Sequence, residues 1–181
     1  MEQLHKDAIE IFTKYAELHK DENLDELIKE IKSNPNILHR TNLSGHITAS
    51  ALVINDDKVL VIWHNFLQMY LQPGGHVDPT DTSIIAAAQR EAKEETGVSV
   101  VPDERFGGVP ITIEIEQIPE RAERGEPAHR HYDCIFVFKV EGDDAIDMQV
   151  EEVSECKWMP IDAKWQDGAL GKSLQRFARY M

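Results

Sequence analysis

Residue types able to do metal and phosphate chemistry crowd into one stretch of the chain. Gly74-Gly75-His76-Val77-Asp78-Pro79 offers a glycine turn. Arg90-Glu91-Ala92-Lys93-Glu94-Glu95-Thr96-Gly97-Val98 follows it with helical periodicity. At about 100° per residue, Glu91, Glu94 and Glu95 fall within an arc of roughly 100° on one helix face. Ile84, Ala87 and Ala88 extend that face toward the N-terminus, while Thr82, Ala86, Gln89 and Lys93 occupy the other. The carboxylates therefore continue the apolar, inward-looking stripe. Glu94 and Glu95 also stand in the last turn before Gly97, where negative charge opposes the helix dipole, and Glu91 and Glu95 repel at i, i+4. Three carboxylates held together against these costs ask for a cation, and oxygen-only ligands suit a hard divalent ion, Mg²⁺ or Mn²⁺.

This stretch resembles the Nudix box: Gly, five residues, Glu, seven residues, then Arg-Glu-apolar-x-Glu-Glu-x-Gly-apolar. Arg90 to Val98 matches every fixed position of the second half. The first half departs twice. Gly75 to Arg90 spans fifteen positions where the pattern has fourteen, and the loop Glu is replaced by Asp81 or Thr82. The extra residue is placed in the loop 78–83, because a loop tolerates an insertion and a helix register does not. The resemblance implies metal ligation by Glu91, Glu94 and Glu95 with Gly75 beside them. It also implies that Arg90 orients a carboxylate of the cluster, and that one Glu can double as base. A further acidic residue outside the box, in a loop before a Trp-bearing strand, is implied as well. Glu151 and Glu152 precede Trp158 in that way, and Glu152 is the favoured member.

The elements that must position these groups are legible from periodicity. Leu4, Ala8, Ile9, Ile11, Phe12, Tyr15 and Leu18 give a helical stripe over 2–19. Asn23 can cap a second helix bearing Leu24, Leu27, Ile28 and Ile31, which Asn34-Pro35 ends. Residues 1–40 are thus expected as an N-terminal helical extension, either packed on the main domain, pairing with a second copy, or walling the substrate pocket. Residues 44–181 carry the main domain. Ile47–Ile54 and Val59–Trp63 read as a hairpin around Asn55-Asp56-Asp57, and the box helix as Ser83 to Thr96. A short strand is expected over Val98–Val101, a half-buried one through Ile111, Ile113 and Ile115, and others over His131–Val140 and Ser154–Met159. One or two helices close the chain. Strands with one helix in the middle and another at the end fit the α/β/α sandwich with a mixed sheet that the resemblance implies, here preceded by a helical pair.

Composition agrees without selecting a fold. The chain has 181 residues, 41% hydrophobic and 29% charged, so one sizeable core is expected, and no apolar run approaches a membrane span. Met1-Glu2-Gln3-Leu4-His5-Lys6 does not open a secretory signal. A net charge of −14 argues against sequence-independent nucleic-acid binding, which needs a basic footprint. It leaves a nucleotide substrate open, because bound metal bridges acidic ligands to phosphate oxygens. Cys134 and Cys156 read as a reduced pair in a cytoplasmic protein.

Further groups qualify as substrate contacts. His129, His131 and Asp133 share one face of a strand, and His-x-His-x-Asp also occurs as a zinc-ligand pattern in metallo-β-lactamase-like hydrolases, whose other motifs are absent. His129, Arg130 and His131 are expected to meet substrate; Arg121 and Arg124 sit on the same loop. Trp63, Phe66 and Tyr70 can stack on a base, and Tyr70 stands three residues before Pro73. The expected activity is metal-dependent hydrolysis of a phosphoanhydride in a nucleoside diphosphate linked to another group: a sugar nucleotide such as ADP-ribose, or a nucleoside triphosphate. The alternative is a catalytically silent nucleotide-binding module of the same fold. Isopentenyl-diphosphate isomerases share the fold but need a Cys early in it, and both cysteines here come late. A homodimer is left open.

Overall fold

A computed structural model describes residues 2–120, 122, 125–148, 153–162, 165 and 168–181. Two helices, α1 (Glu2–Leu18) and α2 (Asp25–Ser33), precede the sheet. Leu24 rather than Asn23 occupies the α2 N-cap position, though the Asn23 carboxamide still accepts from the Asp25 N–H at 3.3 Å. The strands are β1 (His46–Asn55), β2 (Lys58–His64), β3 (Met69–Leu71), β4 (Gly74–His76), β5 (Val100–Pro102), β6 (Thr112–Ile118), β7 (His129–Val140) and β8 (Val153–Pro160). The box helix α3 (Ile84–Thr96) and the last helix α4 (Ala169–Phe177) complete the order.

All eight strands form one mixed sheet. β1 and β7 run parallel at its centre, with His46 beside His131 and Thr48 beside Asp133; the other pairings are antiparallel. β1 carries β2 at its C-terminal end and β4 beside its first half, from Thr48↔His76 to Ser50↔Gly74. The expected glycine turn is therefore a strand. The lack of side chains allows it: a Cβ on Gly74 would lie 2.2 Å from the Ser50 hydroxyl oxygen.

Helices cover both faces. On one, α3 packs Ile84, Ala87, Ala88 and Ala92 against Ala49, Ala51, Cys134 and Phe136. Leu4, Ala8, Phe12 and Tyr15 of α1 belong to the same continuous apolar cluster. On the other face, α4 sets Leu170, Leu174 and Phe177 over Leu52, Ile54, Ile135 and Val137. The N-terminal helices thus share the core of the sheet. Arg176 of α4 reaches the Tyr15 hydroxyl and Glu22, closing α1 to α4.

The face under α4 is apolar only at one end. Even-numbered β1 residues read His46, Thr48, Ser50, then Leu52 and Ile54; odd-numbered β7 residues read His129, His131, Asp133, then Ile135 and Val137. The parallel register aligns the two polar halves. β6 adds Glu114 opposite Asp133 and Glu116 opposite His131. Ile115, expected inward, is 46% exposed, because β6 runs past the cover of the helices at that point; Glu114 and Glu116 take the half-buried side.

Candidate functional site

The box helix is built to hold position. Ser83 caps it by accepting from the Ala86 N–H at 3.2 Å, and Gly97 closes it in a left-handed conformation, φ 75°. Asp7 of α1 accepts from the Ile84 N–H at 2.7 Å, so the N-terminal extension supplies a second cap to α3. At its far end the helix meets β4 edge-on. A Cβ on Gly75 would fall 2.6 Å from the Glu91 carboxyl carbon, and the Gly74 N–H donates to Glu95 at 2.9 Å. Glycine at both positions is what lets carboxylates lie against the strand backbone.

Arg90 gathers the cluster. Its Nε and Nη2 donate to the two Asp81 oxygens at 2.9 and 3.0 Å, Nη1 donates to Glu91 at 2.9 Å and Glu94 at 3.1 Å, and Nη2 also reaches the His76 carbonyl at 2.9 Å. Hydrogen bonding to Asp81, then to Glu91, holds the guanidinium further toward its charged form than usual. Of Asp81 and Thr82, Asp81 is the one that Arg90 holds. Burial raises the Glu91 carboxyl, opposed by Arg90 and reinforced by the charges of Glu94 and Asp81. Glu91 and Glu95 are half-buried, whereas Glu94 is mostly exposed. The three glutamates do not converge on one point: Arg90 holds Glu91 and Glu94 while Glu95 turns to Gly74. The donors fit a hard divalent cation in type and charge, and Glu91 is partly desolvated beside other carboxylates.

Around the polar half of the sheet lies a second set of groups. Asp133 is 5% exposed and accepts from Thr48 and Ser50 at 3.0 Å and from Gln72 at 3.4 Å. Burial raises its carboxyl against those hydrogen bonds. Asp133 therefore does not join His129 and His131 in a His-x-His-x-Asp set, because three neutral donors already claim it. His46 takes that place: His46, His129 and His131 bring ligand nitrogens within 4.8 Å of one another. Burial first, then the neighbouring histidines, push His131 down to about 3; burial also lowers His46. Burial followed by the charges of Asp133 and Glu114 lifts Glu116 to about 7. Arg130 stands on the other side of β7, beside Tyr132, and is not brought to the histidines. Glu151, Glu152, Arg121 and Arg124 lie outside the described residues.

Tyr70 borders a cleft of about 290 Å³ with Trp63, Met69, Met159, Trp165 and residues of α4. Its ring meets Trp63 edge-on at 4.9 Å, lies under the Lys157 ammonium at 4.1 Å, and its hydroxyl donates to Glu155. The sequence alone did not single out His46, Thr48, Ser50, His76, Glu114 or Glu116 as members of this polar group. A signal was present in His46-x-Thr48-x-Ser50, three polar residues at period two opening an otherwise apolar strand.

A family model described as the NUDIX domain matches residues 45–179. A protein described as a probable DHNTP pyrophosphohydrolase, from Lactococcus lactis subsp. cremoris, is 30% identical over 144 residues, covering 75% of this chain and 81% of that one. A NUDIX-family hydrolase from Clostridium perfringens superposes with TM-score 0.55 at 19% identity, covering 75% of this chain and 98% of the other. The E. coli dihydroneopterin triphosphate pyrophosphohydrolase gives 0.52 at 14%, covering 75% and 96%. No helix among the described residues is long and apolar enough to cross a membrane. The box helix is docked behind a glycine strand as the motif requires, and the match extends over the whole sheet and α4, so the chain belongs to the Nudix family and is a Nudix-type pyrophosphohydrolase.

Proposed function

We propose that the enzyme hydrolyses a phosphoanhydride bond in a triphosphate or diphosphate attached to a nucleoside or a related flat nitrogen heterocycle. Mg²⁺ or Mn²⁺ is to be held by Glu91, Glu94 and Glu95, with the Gly75 backbone beside them and Glu152 as the further catalytic carboxylate outside the box. When bound, such an ion neutralises charge on the phosphate oxygens and lowers the pKa of a coordinated water. The chain's own part is positional. Arg90 aims Glu91 and Glu94, Gly74 fixes Glu95, and one carboxylate of the set takes the proton of the attacking water as its oxygen bonds to phosphorus and the P–O bond to the leaving phosphate breaks. The observation that carries this reading is the Arg90 hub joining Asp81, Glu91 and Glu94 against β4.

Dihydroneopterin triphosphate heads the substrates to try, on the strength of the 30% identical relative's description. Glu114 and Glu116, half-buried on β6, support the same choice, since their carboxylates can accept from ring N–H groups. Tyr70, His129 and His131 are further proposed contacts, and Arg130 a weaker one. Two free cysteines suit a reducing compartment such as the cytoplasm. The test is a panel of dihydroneopterin triphosphate, nucleoside triphosphates and sugar nucleotides with Mg²⁺ or Mn²⁺, reading pyrophosphate and monophosphate release. Turnover of a triphosphate to pyrophosphate is expected; turnover of none of the panel would overturn the proposal.

A further inference from the structure

Three histidines meet at the polar end of the sheet, away from the carboxylates of the box. His46 opens β1 and lies beside His131 in the parallel register, while His129 is two residues before His131 on the same face of β7. Their hydrogen bonds settle which nitrogens point inward. His46 Nδ1 is 3.3 Å from the Asn42 carbonyl and His129 Nδ1 is 2.8 Å from the Pro127 carbonyl. A carbonyl only accepts, so each Nδ1 carries the proton and each Nε2 presents a lone pair. His46 is 1% exposed, and its Nε2 is buried with no hydrogen-bond partner. Such an orphan costs free energy unless something else satisfies it. His129 Nε2 faces His131 Nε2 at 3.1 Å. Backbone carbonyls that fix the outer nitrogen and aim the inner one are the outer-shell arrangement of metal-bound histidine.

We propose that His46, His129 and His131 bind one divalent transition-metal ion of the zinc class. The His129–His131 separation of 3.1 Å suits it, since two nitrogens bound at 2.0–2.1 Å to a tetrahedral ion stand about 3.3 Å apart, and His46 brings its nitrogen within 4.8 Å of both. A fourth imidazole is at hand, since the His76 ring centroid is 5.0 Å from that of His46 and 5.3 Å from that of His131. Neutral imidazole selects Zn²⁺, Co²⁺, Ni²⁺ or Cu²⁺, whereas Mg²⁺ takes oxygen. The two donor sets lie on opposite faces of β4, because consecutive side chains alternate: position 75 looks toward Glu91 and His76 looks toward His46. The ion would tie β1 to β7, and through His76 to the strand whose carbonyl anchors Arg90.

The test uses the full chain without a histidine tag, stripped of metal and then held in excess Mg²⁺ to occupy the oxygen donors. Co²⁺ is titrated in and the visible d–d spectrum recorded, a readout independent of hydrolysis. One equivalent should bind with the spectrum of tetrahedral nitrogen ligation and be displaced by Zn²⁺ but not by Mg²⁺. His129→Gln, at the half-exposed start of β7, and His46→Asn should each weaken it by at least about 100-fold, since even loss of an outer-shell partner costs about 10–100-fold. His129→Gln keeps the test decisive should the buried variant fail to fold. No d–d spectrum, undiminished affinity in His129→Gln, or displacement by Mg²⁺ would each overturn the site.

Discussion

Arg90 grips Asp81 with two parallel hydrogen bonds, Nε to Oδ1 at 2.9 Å and Nη2 to Oδ2 at 3.0 Å. Asp81 belongs to the loop before α3 and its side chain is 5% exposed. The pair therefore ties the loop to the last turns of the helix, and it does so with an acid one methylene shorter than the glutamate of the Nudix pattern. The reach is complete nonetheless: both Asp81 oxygens meet the guanidinium. Bidentate geometry makes the contact directional as well as strong.

Asp81→Asn should expose the value of that grip. It keeps the shape and removes the charge, leaving Arg90 to Glu91 and Glu94, the second of which is 56% exposed at its side chain. A stability loss of about 1–3 kcal/mol is expected, with kcat lower by about tenfold as Glu91 loses its fixed partner. Urea unfolding and steady-state kinetics check both. Unchanged values on both axes would show that the loop contributes no positioning.

Removing divalent metal should abolish phosphoanhydride hydrolysis, and Mg²⁺ or Mn²⁺ should restore it. The motive is the donor set: acidic oxygens from Glu91, Glu94 and Glu95, with Arg90 bridging Glu91 and Glu94. Full turnover in excess chelator would contradict the proposed chemistry.

Glu95→Gln separates catalysis from architecture. The Gly74 N–H donates to Glu95 Oε2 at 2.9 Å, and a carboxamide oxygen can accept the same bond. The strand dock should survive, and loss of negative charge at a helix C-terminus should leave the melting temperature unchanged or higher. In contrast, kcat should fall by about 100-fold or more, because the variant offers one charge fewer to metal and water. Near-normal turnover at saturating metal would move the site elsewhere.

The box was readable because its chemistry violates helix preferences in a fixed spacing; the helix, its Ser83 start and its Gly97 stop follow the sequence closely. What pairs with what was not readable. The glycines form a strand only because β1 lies against them, and nothing local in Gly74-Gly75 says so. His46 meets His131 through a parallel register set by contacts 85 residues apart, beyond the reach of any periodicity. Asp133 was read with the histidines from period two alone. The competing donors Thr48, Ser50 and Gln72 come from other strands, and they decide its role. Glu152 lies outside the described residues, so its part rests on the motif.

Asp7→Ala tests whether the N-terminal helices support the box. The Asp7 carboxylate caps the Ile84 N–H at 2.7 Å, at the positive end of the helix dipole. Loss of a cap costs about 1 kcal/mol, so the urea midpoint should fall accordingly. Because Ser83 still caps Ala86, kcat should change by less than about twofold. A large kcat loss at intact stability would instead assign α1 a direct part in the site.

Glu116→Gln should make the metal-free protein more stable at alkaline pH. Burial, then the charges of Asp133 and Glu114, raises the Glu116 carboxyl from 4.5 to about 7; His131 stands opposite it on β7, and Lys172 pairs with Glu114 at 3.2 Å. The folded state holds its proton more tightly than the unfolded chain. Below pH 4.5 both states are protonated and the folded state carries no penalty. Between pH 4.5 and 7 the folded state binds more protons, so stability falls as pH rises, and above 7 the loss is complete. Removing the carboxylate should cancel that fall, giving Glu116→Gln an advantage of about 1–2 kcal/mol at pH 8 after allowance for solvent access. Below pH 4.5 the two curves should run parallel with no pH-dependent gap. Urea midpoints across this range, with chelator present, read the difference directly. A gap that grows toward acid would mean that Glu116 is stabilised as a charged group. With Glu116 as a substrate acceptor, substrate KM for the same variant should rise more than kcat falls.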